Sequence, residues 1–400
     1  MNDQRRLELI DGLVALTQLL LMMITLPLWS GTGVFPAVPL TSMRLPGWLL
    51  PTASVVIAVS CLRRVLTAAD WRGKWTPAKS RLRAAILLAV ALIPPLLNVH
   101  CLQAWYWFFL LVTAIRCGEP QSCQRAAIVL VLGGLYLCSG LSRISEQVDS
   151  GISALIMRQI CSPTVELHSL GLMTRTALVG EILLGLALLG SVRWSWLRFP
   201  AGVAAIALHC ALLYALGPLR LNHHWGVLIW NLLFVLLIPL LLMGGSALAS
   251  IRDHRIAPVA ILFSLSGLIG LADNWMGWQL YSDRPEQWEF WIHEWGSERL
   301  AEPWQSWLAD ESVGGWRVVR LDRMSLQQTG APLYPEDRFQ LAVMERMIAD
   351  SDPDLRFQIL IDEPAQPSWW RRQRRWIRDA QGLATEHRRY LLNSQAAGVD

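Results

Sequence analysis

Glu181 and His209 are ionisable residues set inside stretches that are otherwise apolar. A carboxylate or imidazole in such surroundings costs several kcal/mol unless paired or hydrated, so each needs a partner or a task. Glu181 lies about 9 Å along its segment from Arg175, at 1.5 Å per residue. Tyr214 follows His209 by about one turn. Ser142 and Arg143 close an earlier apolar stretch, and Asn222, His223 and His224 lie in the connection after Tyr214. Trp230 and Asn231 sit just inside the next stretch. Glu181, His209 and Tyr214 are therefore the candidate catalytic groups, able to give or take a proton. Arg143, Asn222, His223, His224, Trp230 and Asn231 are the candidate binding groups, with Arg143 neutralising either Glu181 or an anionic headgroup. The competing reading of the same residues is an interhelical polar network that fixes helix packing.

Other chemistries find less support. A metal site drawing on His100, His209, His223 and His224 is disfavoured, because adjacent histidines project apart and no carboxylate–histidine spacing accompanies them. There is no Walker loop, no GxGxxG after a strand and no GxSxG. Cys117 and Cys123 are not spaced as a redox pair. All seven cysteines precede residue 271, so the tail contains no disulfide. The sequence identifies no cofactor.

The elements that must position these residues are apolar stretches of roughly membrane length, about 20 residues each. Nine can be cut from the chain: 10–29, 47–62, 84–99, 101–115, 126–142, 174–191, 199–217, 226–247 and 256–272. Pro94 and Pro95 interrupt the third, which counts with the fourth either as two spans or as a kinked or re-entrant hairpin. The run 10–29 follows Arg5 and Arg6 but precedes no small-residue cleavage site, so it reads as an uncleaved span. The expected fold is thus an all-α polytopic transmembrane helical bundle over 1–272, with a small α+β soluble domain over 273–400.

Charge separates the same two parts. Residues 1–270 carry 20 Lys+Arg against 10 Asp+Glu, whereas the remainder carries 15 Arg against 21 Asp+Glu. An acidic tail argues against nucleic acid as a partner. With the N-terminus inside, 15 basic residues fall in inside segments and five (Arg44, Arg143, Arg158, Arg175, Arg220) outside. The positive-inside rule favours that arrangement. Nine spans then place the tail outside, in the periplasm for a bacterial inner-membrane protein. The polar candidates converge by depth on the outer half of the bundle. The basic 63–83 connection, with Trp71 and Trp75, is expected along anionic headgroups, and residues 152–161 as a short interfacial helix.

In the tail, 286–293, 316–322 and 355–361 read as strands, with 388–393 as a short last one. Ser297 is expected to cap a helix reaching about residue 308, and Pro335 to open a helix running to about Asp350. Residues 368–380, with Trp369, Trp370 and Trp376 among arginines, read as a basic helix suited to docking on anionic lipid or on its own acidic domain.

The run Leu135-Tyr136-Leu137-Cys138-Ser139-Gly140-Leu141-Ser142-Arg143 resembles a segment of the bacterial HTTM proteins, relatives of the membrane domain of vitamin K-dependent gamma-carboxylase. Glu181 in the following span, His209, the Leu216-Gly217-Pro218-Leu219 run and Trp230-Asn231 look similar to the same group, and the tail segment Ala331-Pro332-Leu333-Tyr334-Pro335 to its multi-span relatives. The likeness covers roughly residues 100–247. It implies a helical bundle with a membrane-embedded pocket. The carboxylase-type lysine falls at Arg143, which stays protonated and cannot act as a base, a departure that argues against carboxylation itself. A weaker resemblance, to DoxX-like quinone-linked membrane proteins, rests on bundle character alone.

Two functions follow from these readings. One is an enzyme or binder acting on an amphiphile, a quinone or lipid, at the outer polar cluster. The other is a non-enzymatic scaffold whose periplasmic domain binds a protein partner, the bundle serving as its bilayer anchor.

Overall fold

The computed structural model describes residues 2–33, 35–43, 45–70, 77–149, 151–161, 165–243, 254–279, 282, 285–364 and 371–397. Trp71, Trp75, Trp369 and Trp370, and the end of the stretch expected over 226–247, lie outside them. The helices of the first two-thirds are α1 (Asp3–Ile24), α2 (Leu26–Ser30), α3 (Leu49–Ala69), α4 (Pro77–Ala91), α5 (Ile93–Leu97) and α6 (Ala104–Gly118). They continue with α7 (Gln121–Ser142), α8 (Ile152–Ile160), α9 (Leu167–Ser191), α10 (Arg198–Leu216), α11 (Trp225–Leu242) and α12 (Ile256–Gly267). Pro94 and Pro95 fall in the first turn of α5, where missing N–H groups cost least, and so divide α5 from α4.

The chain forms two compact units. The first comprises Met1–Ile24, Val55–Ala91 and Ala104–Asp283. The second comprises Thr25–Ser54, Leu92–Gln103 and Arg284–Asp400. It therefore draws on two strips of the N-terminal region as well as the tail, where the sequence suggested a single boundary at residue 272.

Among the described residues, seven helical segments are long and apolar enough to cross a membrane. Helices α6 and α12 are shorter; the twelve residues of α12 rise only about 18 Å. Beyond α12 the chain turns back, Gly277 packing against Gly267 and the Gln279 amide donating to the Gly267 carbonyl at 2.6 Å.

In the first unit, ion pairs and hydrogen bonds gather helix ends. Arg125 at the start of α7 meets Asp3 of α1 at 2.8 Å. Arg64 near the end of α3 and Arg116 near the end of α6 both meet Asp11, at 3.2 and 3.5 Å. Glu119 accepts from the backbone N–H groups of Arg255 and Ile256, at 2.8 and 2.6 Å, at the start of α12. Arg6 donates to the Met243 carbonyl, just past α11. The arginines among these residues belong to the basic set assigned inside from sequence, and the fold collects them at one end of the bundle. At the other end α8, the end of α10 and the start of α11 share an apolar cluster of Ile156, Ala215, Leu216, Val227 and Leu228.

Helix α7 is central: 89% of its apolar window is buried, against at most 56% for any other candidate span. It packs on α9 through glycines. A Cβ at Gly185 of α9 would lie 2.5 Å from the Leu137 backbone N and 2.9 Å from the Gly133 carbonyl. One at Gly140 would lie 2.7 Å from Ile182. Small residues let two backbones approach this closely, the usual device where apolar burial alone cannot select a partner.

The second unit contains a four-stranded antiparallel sheet in the order β2-β1-β3-β4. Its strands are β1 (Gln287–His293), β2 (Trp316–Val319), β3 (Phe357–Pro364) and β4 (Arg372–Ile377). The helices are α13 (Glu302–Gln305), α14 (Leu321–Thr329), α15 (Asp337–Ala349) and α16 (Ala380–His387). Trp288, Phe290, Ile292, Ile359 and Ile361 are buried from the sheet, and Phe339, Val343 and Met347 from α15. Strands β1 and β3 and helix α15 match the sequence reading closely.

Three expectations fail. The basic helix over 368–380 is instead strand β4 across 372–377, because its arginines meet β3 carboxylates with the period of a strand. Arg372 and Arg374 both reach Asp362, at 2.5 and 3.1 Å, and Arg375 reaches Glu363 at 3.0 Å. The helix expected from Ser297 to about 308 is broken into a 3₁₀ turn, Glu294–Arg299, and the single turn of α13; Pro303 lacks the N–H that continuity would need. Residues 388–393 form no strand, and the Asn393 side chain is spent on the Pro39 carbonyl at 2.9 Å.

His100 belongs to this second unit. It is 1% exposed, with its ring between Phe35 and Phe339. Its Nε2 meets the Pro332 carbonyl at 2.9 Å and therefore carries the proton. Burial pushes its pKa down to about 4, the Pro332 contact opposing. The unfolded chain protonates first, so stability is lost as pH falls from about 6.5 through 4, by about 3 kcal/mol at most. Glu286 acts oppositely: burial, then Asp337 and Glu363, lift it to about 7, so its contribution falls as pH rises through that value. Thermal unfolding of Glu286→Gln between pH 7 and 4 should therefore show a steeper acid loss than the parent. An equal or shallower slope would contradict these opposite pH dependences.

Candidate functional site

Tyr136, Ser139 and Arg143 fall three and seven residues apart on α7 and so share a face. The Tyr136 hydroxyl lies 2.6 Å from His209 Nε2 on α10. His209 Nδ1 lies 2.8 Å from Asn231 Oδ1 on α11. The Asn231 amide nitrogen donates to the Val227 carbonyl at 2.8 Å. That last bond fixes the chain's sense. With the amide N–H group spent on Val227, Oδ1 faces the imidazole and must accept, so His209 carries its proton on Nδ1. Its Nε2 is then free to accept from Tyr136.

Aromatic rings enclose this network. Phe234 stacks on the His209 ring at 4.7 Å, and Trp230 and Phe108 meet Phe234 edge-on at 4.5 and 5.6 Å. Tyr136, His209 and Asn231 are 2%, 5% and 4% exposed.

On the same face of α7, toward its end, Arg143 pairs with Glu181 of α9 at 3.1 Å and donates to the Ser139 hydroxyl. Arg175, set near Glu181 by sequence, instead pairs with Asp149 in an exposed contact. Two arginines and two carboxylates are thus sorted into a buried pair and a surface pair. The close α7–α9 approach lets a side chain at the end of one helix reach the middle of the other.

The structure therefore brings together Arg143 with Glu181, and His209 with Asn231, and sets Trp230 in the aromatic wall. It does not add the others. Tyr214 is exposed, and its hydroxyl accepts from Arg220 at 3.0 Å. Asn222 adopts a left-handed turn (φ 47). His223 Nδ1 accepts from the His224 N–H at 2.9 Å, and His224 Nδ1 caps α11 by accepting from the Gly226 N–H at 3.2 Å. Burial holds both imidazoles below their ordinary pKa. Among the described residues no three His, Cys, Asp or Glu side chains form a metal-binding group.

Tyr136 and Ser139 are the residues the sequence reading left out of the site. The signal was present: Tyr136 precedes Arg143 by seven residues, two helical turns on one face. No protein-family model matches the chain, and neither a curated protein nor a solved structure matches it.

Chemically, a hydroxyl held on the acceptor nitrogen of an imidazole, with a third group orienting the ring, is the arrangement that readies a proton for transfer. The neighbouring guanidinium–carboxylate pair supplies a charged handle beside it.

Proposed function

We propose that the chain is a multi-pass protein of the bacterial inner membrane that binds an amphiphile, a quinone or lipid, beside Tyr136 and His209. The observation that carries this is the directed Tyr136–His209–Asn231 hydrogen-bond chain, buried in the apolar middle lengths of three helices. A polar group set there is expensive, and a hydroxyl whose proton is committed to a fixed tautomer presents its oxygen as an acceptor for a ligand hydroxyl. Tyr136, its own proton committed to His209 Nε2, would accept from a ligand hydroxyl, Asn231 would hold the imidazole in that tautomer, and Arg143 with Glu181 would hold a polar headgroup. The HTTM-like segments agree with this use of the bundle. The N-terminus lies inside in this reading and the tail outside; gathering of the basic helix ends at one end of the bundle supports that orientation.

The test is native mass spectrometry of the detergent-purified full chain and of Tyr136→Phe and His209→Gln. A co-purifying quinone or lipid should be retained by the parent and depleted in both variants, each remaining folded by circular dichroism. Unchanged ligand occupancy in both variants removes these residues from the site. The second reading, a scaffold, draws on the second unit, where Trp295 is 83% and Trp376 42% exposed. A co-purifying protein in place of an amphiphile would favour it.

A further inference from the structure

At the basic end of the first unit lies a cavity of about 60 Å³ that the site above does not use. Its polar wall comes from four helices: Glu8 and Asp11 of α1, Arg64 of α3, Arg81 of α4 and Arg116 of α6. Gln121 and Gln124 of α7 complete it.

The charges do not balance. Asp11 is shared by Arg64 and Arg116, so one carboxylate faces two guanidinium groups. Glu8 is already engaged by Arg5 at 3.3 Å. Arg81 lines the cavity and is exposed. The Arg116 side chain is 10% exposed, yet its Nε is buried without a hydrogen-bond partner; its 3.5 Å approach to Asp11 is too long for a good one. A surplus of cation, a guanidinium N–H without a hydrogen-bond partner, the Ser80 hydroxyl and the Gln121 amide line one small volume.

We propose that this cavity binds a phosphate group, presented by the headgroup of an anionic phospholipid. Several guanidinium groups matched to a phosphate give short, charge-assisted and multidentate hydrogen bonds. A basic pocket between helices at the end of a bundle is where a lipid phosphate would be met. A phosphate would accept a hydrogen bond from Arg116 Nε–H and relieve Asp11 of neutralising two arginines alone. The site is separate from Tyr136 and His209, and its failure would leave the proposed function untouched.

The full chain in phosphatidylcholine nanodiscs, with and without added phosphatidylglycerol, tests the proposal through thermal stability and through lipid counted by native mass spectrometry. Inorganic phosphate added to the phosphatidylcholine nanodiscs is the soluble arm. Phosphatidylglycerol should stabilise the parent and remain bound. Arg81→Gln, which breaks no observed ion pair, should bind it about five-fold more weakly, from about 1 kcal/mol per basic residue at a membrane surface. Arg116→Gln should lose more, and Asp11→Asn should bind more tightly. Stabilisation by inorganic phosphate to the same degree would keep the phosphate chemistry and overturn the lipid as its source. The proposal is overturned if neither probe stabilises the parent, or if Arg81→Gln binds as the parent does; the latter decides even if Arg116→Gln does not fold.

Discussion

Glu181→Ala is expected to destabilise the first unit by about 3–5 kcal/mol, the usual cost of leaving one member of a buried ion pair without the other. Arg143 is 15% exposed and Glu181 8%, so little water is at hand to replace the lost partner. The informative comparison is the double variant Arg143→Met with Glu181→Met. If the pair serves only packing, exchanging both charges for apolar groups of similar volume should restore most of the loss. Ligand occupancy need not follow stability. A double variant that folds normally yet purifies without its amphiphile would assign the pair to binding, and one that is as unstable as Glu181→Ala would refute the account of a paired, buried charge. Thermal unfolding in detergent reports the first quantity and mass spectrometry the second.

Gly185→Val should be comparably damaging for a different reason. The added side chain would meet backbone atoms of α7, the Leu137 N and the Gly133 carbonyl, which cannot rotate away as a side chain could. The helices would have to separate, at a cost of about 3 kcal/mol. Gly180, on the same helix, has open space around its Cβ position, so Gly180→Val is the matched control. Equal stability of the two variants would show that the α7–α9 approach is not as tight as described. Separation would also carry Arg143 from Glu181, so the Gly185 variant should reproduce part of the Glu181→Ala phenotype.

The apolar stretches were legible because a helix long and apolar enough to cross a membrane carries few polar residues, and among the described residues seven such helical segments and the shorter α6 and α12 fall within or across them. Their ends were harder. Helix α12 stops at Gly267, five residues before its apolar stretch does, because the chain turns back on Gly277. The Arg143–Glu181 pair is one of the two roles the sequence offers Arg143, whereas His209 and Asn231 were grouped only by depth. Depth says which groups lie at one level but not which side of a helix each occupies, and so Tyr214 was grouped with His209 while Tyr136 was not. The tail's basic run was misread for a related reason. A sequence rich in Arg and Trp has no strong preference of its own, and the partners on β3 that set its period of two lie ten or more residues away. Tertiary pairing decided the conformation.

The second unit is assembled from three separate lengths of chain, and the ring cluster of Phe35, His100 and Phe339 takes one residue from each. During synthesis the first two lengths are complete by residue 103, while the third begins only at 284. At ribosomal speeds that interval is on the order of 10–40 s. Throughout it Phe35 and His100 wait without Phe339, and His100 is still free to take up a proton that the finished fold denies it. Completion of the second unit therefore waits on the length that begins at Arg284, and a ribosome that stalls before it leaves behind apolar surface that quality-control proteases can recognise.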